Sequence, residues 1–416
     1  MSENLDYLFA LEQFGIKFGL ENIRAIVDSL GHPERAYETV HIAGTNGKGS
    51  VAAMVDAALR HARRRSARYT SPHLIDLRER FVIDGAPVAA DALDEAIGDV
   101  RRRIDALRHI GALEVQPTFF EVTTAVAFEL FRRAAVDIAV VEVGLGGRLD
   151  ATNVVSPRVT AITSIAFDHE QYLGSTIREI ALEKAGIIKP GVPVVVGPMS
   201  SEALEAIAEV ARERGASLVR ACDGVEWTTV LRTPARDYGR VELALRGEHQ
   251  IANGVVAVRV LEQLNVPAAA IVEGLTHVSW PGRLDVRRLA DGREAILDAA
   301  HNPAGARALA SYLKTLPGSP QPLVFAAMRD KDIDGMLREL VPAIGGLVLT
   351  RASTRRAADP DAVAERARVL APALDVRAIA SLPAALDAAW QISPRIVVAG
   401  SIFLLGDVLR ELDWTW

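Results

Sequence analysis

Residues 40–60 read VHIAGTNGKGSVAAMVDAALR, and this stretch decides the fold. Val40, Ile42 and Ala43 end a short apolar run that predicts a buried strand. Gly44-Thr45-Asn46-Gly47-Lys48-Gly49-Ser50 is a glycine-rich turn. From Ser50 onward Val51, Met54, Val55, Ala58 and Leu59 recur at helical spacing. A strand, a glycine loop holding one lysine, and a helix make a phosphate cradle. Glycines let backbone N–H groups turn toward an anion, and the helix N-terminus adds about half a positive charge. Gly47, Lys48, Gly49 and Ser50 are therefore candidate nucleotide contacts. Lys48 is placed to reach β- and γ-phosphates, and Ser50 to ligate a metal. The spacing is not that of a standard Walker A loop, because Gly44 stands only three positions before Gly47 and Gly49 separates Lys48 from Ser50.

Working outward, residues 137–144, DIAVVEVG, predict a buried strand ending in Glu142, an acid suited to Mg²⁺ on nucleotide phosphates. The run 159–169, VTAITSIAFDH, predicts a strand with Asp168 and His169 at its end. Read alone, His169 serves equally as a core or capping histidine and as a metal ligand. In PTFFEVTTAVAFELF, residues 117–131, Thr118 and Glu121 have capping-box spacing before a helix, and capping is the favoured role for Glu121. Ser71, in Tyr69-Thr70-Ser71-Pro72-His73-Leu74, reads alone as a turn residue. Gly144-x-Gly146 is a weak dinucleotide signal, since Leu149 stands where a third glycine belongs. Toward the N-terminus, Ile16, Leu20, Ile23, Ile26, Val27 and Leu30 predict a helical apolar stripe.

Trp280-Pro281-Gly282-Arg283 marks a boundary, after which strands and helices alternate to the C-terminus. Such alternation predicts a parallel sheet covered on both faces, with ligands beyond the strand C-termini. Asp298, His301, Lys331 and Ser401 fall at such ends. The expectation is an α/β protein: a P-loop ATP-binding domain with a mainly parallel sheet (1–282), then a smaller Rossmann-like α/β domain (283–416). The site is expected in a cleft between the two. The stretch from about 215 to 245 reads as irregular.

The blocks GTNGKGS (44–50), SPHL (71–74), GLGGRLDATN (144–153), EKAGIIKPG (183–191) and GEHQIAN (247–253) together resemble the folylpolyglutamate synthase/dihydrofolate synthase family of the Mur ligase superfamily. The resemblance covers nearly the whole chain, is specific from 41 to 190 and is looser in the C-terminal third. It implies an ATP-dependent ligase that phosphorylates a carboxylate to an acyl phosphate and lets the glutamate amine attack it. It implies that Ser50, Ser71, Glu142, His169 and Lys184 hold two magnesium ions, with Lys184 carbamylated. It implies that Thr118, Leu149, Asp150 and Ala151 line a pteroate site, and leaves Glu121 either a cap alone, the favoured role, or a cap that also faces the substrate. It implies that Asn253, Arg283 and Asp298 meet ATP, and His301 and Ser401 the incoming glutamate. Lys48, Lys184 and His301 are the candidate catalytic residues. Two other readings stay open: a ligase of the same superfamily acting on another carboxylate, and a P-loop ATPase switch that joins nothing.

Bulk properties agree with a globular enzyme. The net charge of −6 argues against a general nucleic-acid binder, though a local cradle still binds an anion. Arg60 to Arg68 reads as a solvated helix end. Cys222 is the single cysteine, so no disulfide forms within the chain and a reducing cytoplasm is expected. The acidic start MSENLDYLFALEQF lacks the basic flank of a signal peptide, and no apolar run reaches the ~18 residues of a membrane span. Small-molecule substrates and a monomer are expected, with neither nucleic acid nor membrane as partner.

Overall fold

The computed structural model describes residues 2–15 and 17–414. Ile16 of the N-terminal stripe lies outside the described residues. The chain divides into two compact units. The first runs through His73, from Leu77 to Ala244 and from Ala252 to Val278. The second takes Leu74–Asp76, Leu245–Ile251 and everything from Ser279 onward. Among the described residues no helix is long and apolar enough to cross a membrane.

The first unit is built on strands β1 (Glu38–Ala43), β2 (Ser66–Tyr69), β3 (Phe81–Ile83), β4 (Ala86–Pro87), β5 (Ile138–Glu142), β6 (Val159–Ile162), β7 (Val194–Val196) and β8 (Leu218–Arg220). They form one sheet in the order β4-β3-β2-β5-β1-β6-β7-β8. From β2 to β8 along that order every pairing is parallel, and only the pairings of β3, with β2 and with β4, are antiparallel. The central strands are continuous buried runs, as parallel strands covered on both faces must be. One face carries helices Glu3–Ala10, Glu21–Ser29, Ala90–His109 and Phe119–Arg133 over a core that includes Phe81, Phe128 and Phe131. Helices Ile177–Ala185 and Ser201–Glu213 share a core with β6 and β7 through Ala181, Ala206 and Ile207.

Helix Lys48–His61 is buried from Gly49 to Leu59. It packs so closely on helix Ala268–His277 that a methyl group on Gly274 would stand 2.5 Å from Ala58 backbone. The stretch expected to be irregular holds a small antiparallel sheet of β9 (Glu226–Trp227), β10 (Val230–Arg232) and β11 (Asp237–Arg240). Its strands of two to four residues are too short to show a period.

The second unit has β12 (Asp285–Arg288), β13 (Glu294–Asp298), β14 (Pro322–Phe325), β15 (Gly346–Leu349), β16 (Val376–Ala378) and β17 (Arg395–Ala399) in the order β12-β13-β17-β14-β15-β16. All pairings are parallel except β12 with β13, an edge strand that sequence reasoning missed. Side chains alternate between two cores: Ile296, Phe325 and Val397 face one, Leu297, Val324 and Val398 the other. That alternation is the two-residue period of a sheet with a packed layer on each face.

Candidate functional site

Parallel strands β2, β5, β1 and β6 are neighbours in that order, so the loops leaving their C-terminal ends lie along one sheet edge. Ser71 follows β2, Glu142 closes β5, the glycine loop follows β1, and residues 163–169 follow β6. Ile42 is in register with Glu142, two residues before the glycine loop begins at Gly44. The backbone N–H of Ser71 donates to Oε2 of Glu142 at 3.3 Å. Topology thus sets Ser71 beside Glu142, with the glycine loop and Ser50 following the neighbouring strand β1.

The glycine loop is held from beneath by the residues after β6. Thr163 Oγ1 donates to the Asn46 carbonyl at 2.6 Å, and Ser164 Oγ donates to the same oxygen at 3.0 Å. Thr45 Oγ1 donates to the Ala166 carbonyl at 3.1 Å. Gly44 and Gly47 both take positive φ, of 147° and 87°. Helix Lys48–His61 starts directly after Gly47, so its first-turn N–H groups have no partner within the helix. Lys48 Nζ donates to the Gly44 and Thr45 carbonyls, at 2.9 and 3.2 Å, which keeps the ammonium over the loop. Asn253 belongs to the same unit and meets the loop directly: a methyl group on Gly47 would stand 2.3 Å from its Oδ1.

Lys184 is 4% exposed, near the end of helix Ile177–Ala185. Burial pushes its ammonium pKa down to about 7; Lys48 acts in the same direction, while Asp168, Asp150 and Glu183 oppose. About half of the amine is therefore neutral, and nucleophilic, near pH 7. His169 caps the short helix Glu170–Leu173 in a left-handed conformation, and its Nε2 lies 3.8 Å from Oδ1 of Asp168.

The expected metal donors are hydroxyls, one carboxylate, one imidazole and a modified lysine. Among the described residues no three His, Cys, Asp or Glu side chains converge into a cation cage. The set still fits Mg²⁺, which uses one or two carboxylates and takes its other oxygens from water and substrate phosphates. Ser50 and Glu142 are buried, hard oxygen donors at the phosphate edge.

Beside this edge a cavity of about 240 Å³ opens, lined by Ser71, Thr118, Gly144, Leu149, Asp150 and Ala151 among others. Three loops and a helix start form it. Asp150 shapes the 144–151 loop: its Oδ2 accepts from Leu145 N–H at 2.8 Å, and its Oδ1 from Thr152 N–H at 3.0 Å. Burial raises the Asp150 pKa while these hydrogen bonds lower it. The loop is tied to the helix bearing Lys184, since Arg148 N–H donates to the Glu183 carbonyl at 2.8 Å.

Glu121 also lines this cavity, which its favoured role as a cap did not anticipate. The capping box is present in full. Glu121 Oε2 accepts from Thr118 N–H at 2.7 Å, and Thr118 Oγ1 accepts from Glu121 N–H at 3.2 Å. Oε1, however, is buried without a partner, on a residue only 4% exposed. Such an atom is expensive unless a ligand donor satisfies it. The residue types flanking position 121 contain no signal for this second task. Arg80, buried in the same wall, donates through Nε to Nδ1 of His73 at 3.0 Å.

In the second unit Asp298 ends β13 and accepts from Leu284 N–H at 3.0 Å and Ala300 N–H at 2.9 Å. Burial lowers the His249 pKa, Asp298 opposes that and Arg283 adds to it, so these three groups lie near one another. His301 Nδ1 donates to the Ala299 carbonyl at 2.8 Å, which fixes the tautomer. Ser401 Oγ caps helix Ile402–Glu411 by accepting from Phe403 N–H at 3.2 Å. Arg283, Asp298, His301 and Ser401 thus fall in one unit, and the remaining expected site residues in the other.

Residues 42–261 match the Mur ligase middle domain, and residues 282–402 the Mur ligase glutamate ligase domain. The chain is 40% identical over 379 residues to a dihydrofolate synthase/folylpolyglutamate synthase of Mycobacterium tuberculosis, covering 83% of this chain and 76% of that protein. Among solved structures, E. coli FolC in complex with DHPP and ADP superposes with a TM-score of 0.89 at 29% identity, covering 99% of this chain and 98% of that one. A bifunctional folylpolyglutamate synthase/dihydrofolate synthase with Mn, AMPPNP and L-glutamate bound gives 0.87 at 30% identity, with the same coverage.

Proposed function

The chain belongs to the Mur ligase family, in its folylpolyglutamate synthase/dihydrofolate synthase group, and from that membership we propose how its residues divide the work. It is an ATP-dependent ligase of folate metabolism that joins glutamate to a folate-type acid, and it uses ATP with a divalent metal. The finer reading is that the acid is dihydropteroate, a reduced folate or both, activated as an acyl phosphate. The observation carrying it is that one sheet edge supports both partners of the first step. Ser71 and the 144–151 loop line the organic cavity, while Ser71 and Glu142 also stand beside the phosphate loop.

In this reading the amides from Gly47 to Ser50 and the Lys48 ammonium hold the triphosphate, and Asn253, Arg283 and Asp298 position the nucleotide. Thr118, Glu121, Leu149, Asp150 and Ala151 hold the pterin end of the acid. Ser50, Ser71, Glu142, His169 and a carbamate on Lys184 hold the metal, as two magnesium ions. Bound metal neutralises charge on the transferred phosphoryl group. Lys184 suits carbamylation because its amine is buried and about half deprotonated near pH 7, against almost none for an ordinary lysine, leaving a lone pair for CO₂. His301 and Ser401 orient the incoming glutamate so that its amine meets the activated carbonyl at near-attack distance, about 3–3.5 Å. We assign the ATP, metal and pteroate functions to residues 1–282 and the glutamate function to 283–416, from which Arg283 and Asp298 add their contacts to the nucleotide, in a cytoplasmic monomer.

The test is phosphate release from ATP with each co-substrate omitted in turn. Release requiring both glutamate and either dihydropteroate or tetrahydrofolate supports the reading, and the preferred acid sets the activity. Release indifferent to both would mark a P-loop ATPase switch. Release with neither folate-type acid, but with another carboxylate, would mark a different ligase.

A further inference from the structure

The strand feeding the phosphate loop carries one residue out of character. In Glu38-Thr39-Val40-His41-Ile42-Ala43 the histidine is fully buried, between Val141 of β5 and Thr160 of β6. Its Nε2 lies 2.8 Å from Oγ1 of Thr152. Thr152 Oγ1 in turn donates to Oδ1 of Asp150, which also accepts the Thr152 N–H. The other Asp150 oxygen accepts Leu145 N–H, and both Leu145 and Asp150 line the cavity.

A threonine hydroxyl has one proton to give. Here it goes to a carboxylate, so the contact with His41 must run the other way. Donor counting therefore assigns the proton to Nε2, which donates to Thr152. Nδ1 is then the bare nitrogen, and it is the atom found buried without a partner. A bare Nδ1 costs less in that place than an orphaned N–H would, which favours the same assignment. Burial, with Lys189 acting in the same direction, also lowers the imidazole pKa to about 3, so this neutral form persists at working pH. The bonds form a directed chain from His41 to Thr152 to Asp150, whose second oxygen is bound by Leu145.

We propose that His41 is a positioning residue for the folate-type substrate: by donating to Thr152 it sets the Asp150 carboxylate that closes the 144–151 loop. The shape of the organic pocket is thereby tied to the strand that carries the nucleotide loop. The proposal rests on the reading of that loop as the pteroate-binding loop. Other ties hold the loop elsewhere and do not involve His41. Lys189 Nζ donates to the Asn153 carbonyl at 2.8 Å, and Asn153 Nδ2 to the Arg148 and Gly186 carbonyls at 2.9 and 3.1 Å. Loss of His41 therefore loosens the Asp150 end alone.

The experiment compares wild type, His41→Leu, His41→Gln and Thr152→Val in steady-state ligation of dihydropteroate or tetrahydrofolate, with melting temperatures alongside. His41→Leu should raise KM for the acid about tenfold while KM for ATP stays within about twofold, the effect of losing one buried hydrogen bond. His41→Gln, which restores an N–H donor near the Nε2 position, should recover most of that loss. Thr152→Val should reproduce the shift from the other side of the bond, and the double variant His41→Leu/Thr152→Val should be no worse than either single one. An unchanged KM for the acid overturns the proposal. So does a parallel rise in both KM values with a lowered melting temperature, or a glutamine no better than leucine. Should His41→Leu not fold, Thr152→Val decides by the same criterion. Wild-type protein that turns over neither acid defeats the functional reading first, and this proposal with it.

Discussion

Gly47 packs directly against Asn253: a methyl group in place of its α-hydrogen would stand 2.3 Å from the Asn253 Oδ1. Asn253 lies on helix Glu248–Gln263, in the part from Ala252 onward that belongs to the same first unit as the phosphate loop. Gly47 also has φ of 87°, a conformation that costs an L-residue roughly 1–2 kcal/mol. Gly47→Ala therefore meets two penalties at once. Its affinity for a non-hydrolysable ATP analogue, measured by calorimetric titration, should fall at least about tenfold. Adding Asn253→Gly relieves the contact but not the backbone strain, so the loop should regain its shape only in part. Normal affinity in Gly47→Ala would show that the loop tolerates a side chain there.

Glu142 closes β5 and accepts the Ser71 N–H at the sheet edge. Its place at a strand end separates its chemistry from the packed core. Glu142→Ala should lower kcat by about 10² or more, while the melting temperature changes by only a few degrees. Raising Mg²⁺ should recover part of the rate. A variant with wild-type turnover at ordinary Mg²⁺ would remove Glu142 from the metal site.

Lys184 makes a claim that spectroscopy tests without turnover. Protein equilibrated with ¹³C-bicarbonate should show a carbamate carbonyl resonance that is absent from Lys184→Ala. The variant should be inactive, and formate or acetate should restore part of the rate by supplying the missing carboxylate. Because the amine pKa is lowered to about 7, carbamate formation should already be extensive at pH 8, well below the ordinary lysine pKa of about 10.4. No resonance, together with no rescue, would leave Lys184 acting as an unmodified amine.

Glu121 carries two tasks on two oxygens, and variants separate them. Oε2 serves the capping box, whereas Oε1 is buried at the cavity without a partner. Glu121→Gln removes the charge and one acceptor but keeps the shape. KM for the folate-type acid should rise about tenfold or more, with a modest loss of stability. Thr118→Ala, which removes the cap hydroxyl, should cost about 1 kcal/mol in stability. If Glu121→Gln loses stability but keeps its KM, the residue is a cap alone.

Those two oxygens show where sequence reading stops. Capping-box spacing announces the first task of Glu121, and nothing in the local pattern announces the second, which depends on loops distant in the chain. The phosphate loop, Glu142 and the alternating second unit are legible because each is a run with a period or a turn with required glycines. The β9–β11 sheet escapes because strands of two to four residues show no period. β12 escapes because an edge strand of Asp-Val-Arg-Arg lacks the apolar run of its parallel neighbours. The partition of Leu74–Asp76 and Leu245–Ile251 into the second unit is a matter of long-range packing, which no local pattern encodes. His41 passes for one polar residue in an apolar strand until Thr152 and Asp150 are placed beside it.

The buried neutral state of His41 also predicts an acid sensitivity. Its folded pKa is lowered to about 3, against about 6.5 in the unfolded chain. Between those values the unfolded chain binds a proton that the folded chain refuses. Its contribution is therefore fully present above pH 6.5 and is lost as pH falls toward 3, by about 1.4 kcal/mol per pH unit. Lys189 faces the ring as a cation and adds to this refusal, while Asp150 lies beyond Thr152. Most carboxylates titrate below about pH 5, so the interval from 6.5 to 5 isolates histidine effects. Across it, denaturant unfolding of the first unit should show wild type losing about 2 kcal/mol more than His41→Gln, whose amide never titrates. The subtraction removes the other histidines, including His249, whose pKa burial also lowers. Equal losses in the two proteins would mean that His41 takes up its proton in the folded chain as readily as in the unfolded one; Nε2 would still donate to Thr152, but from a charged ring.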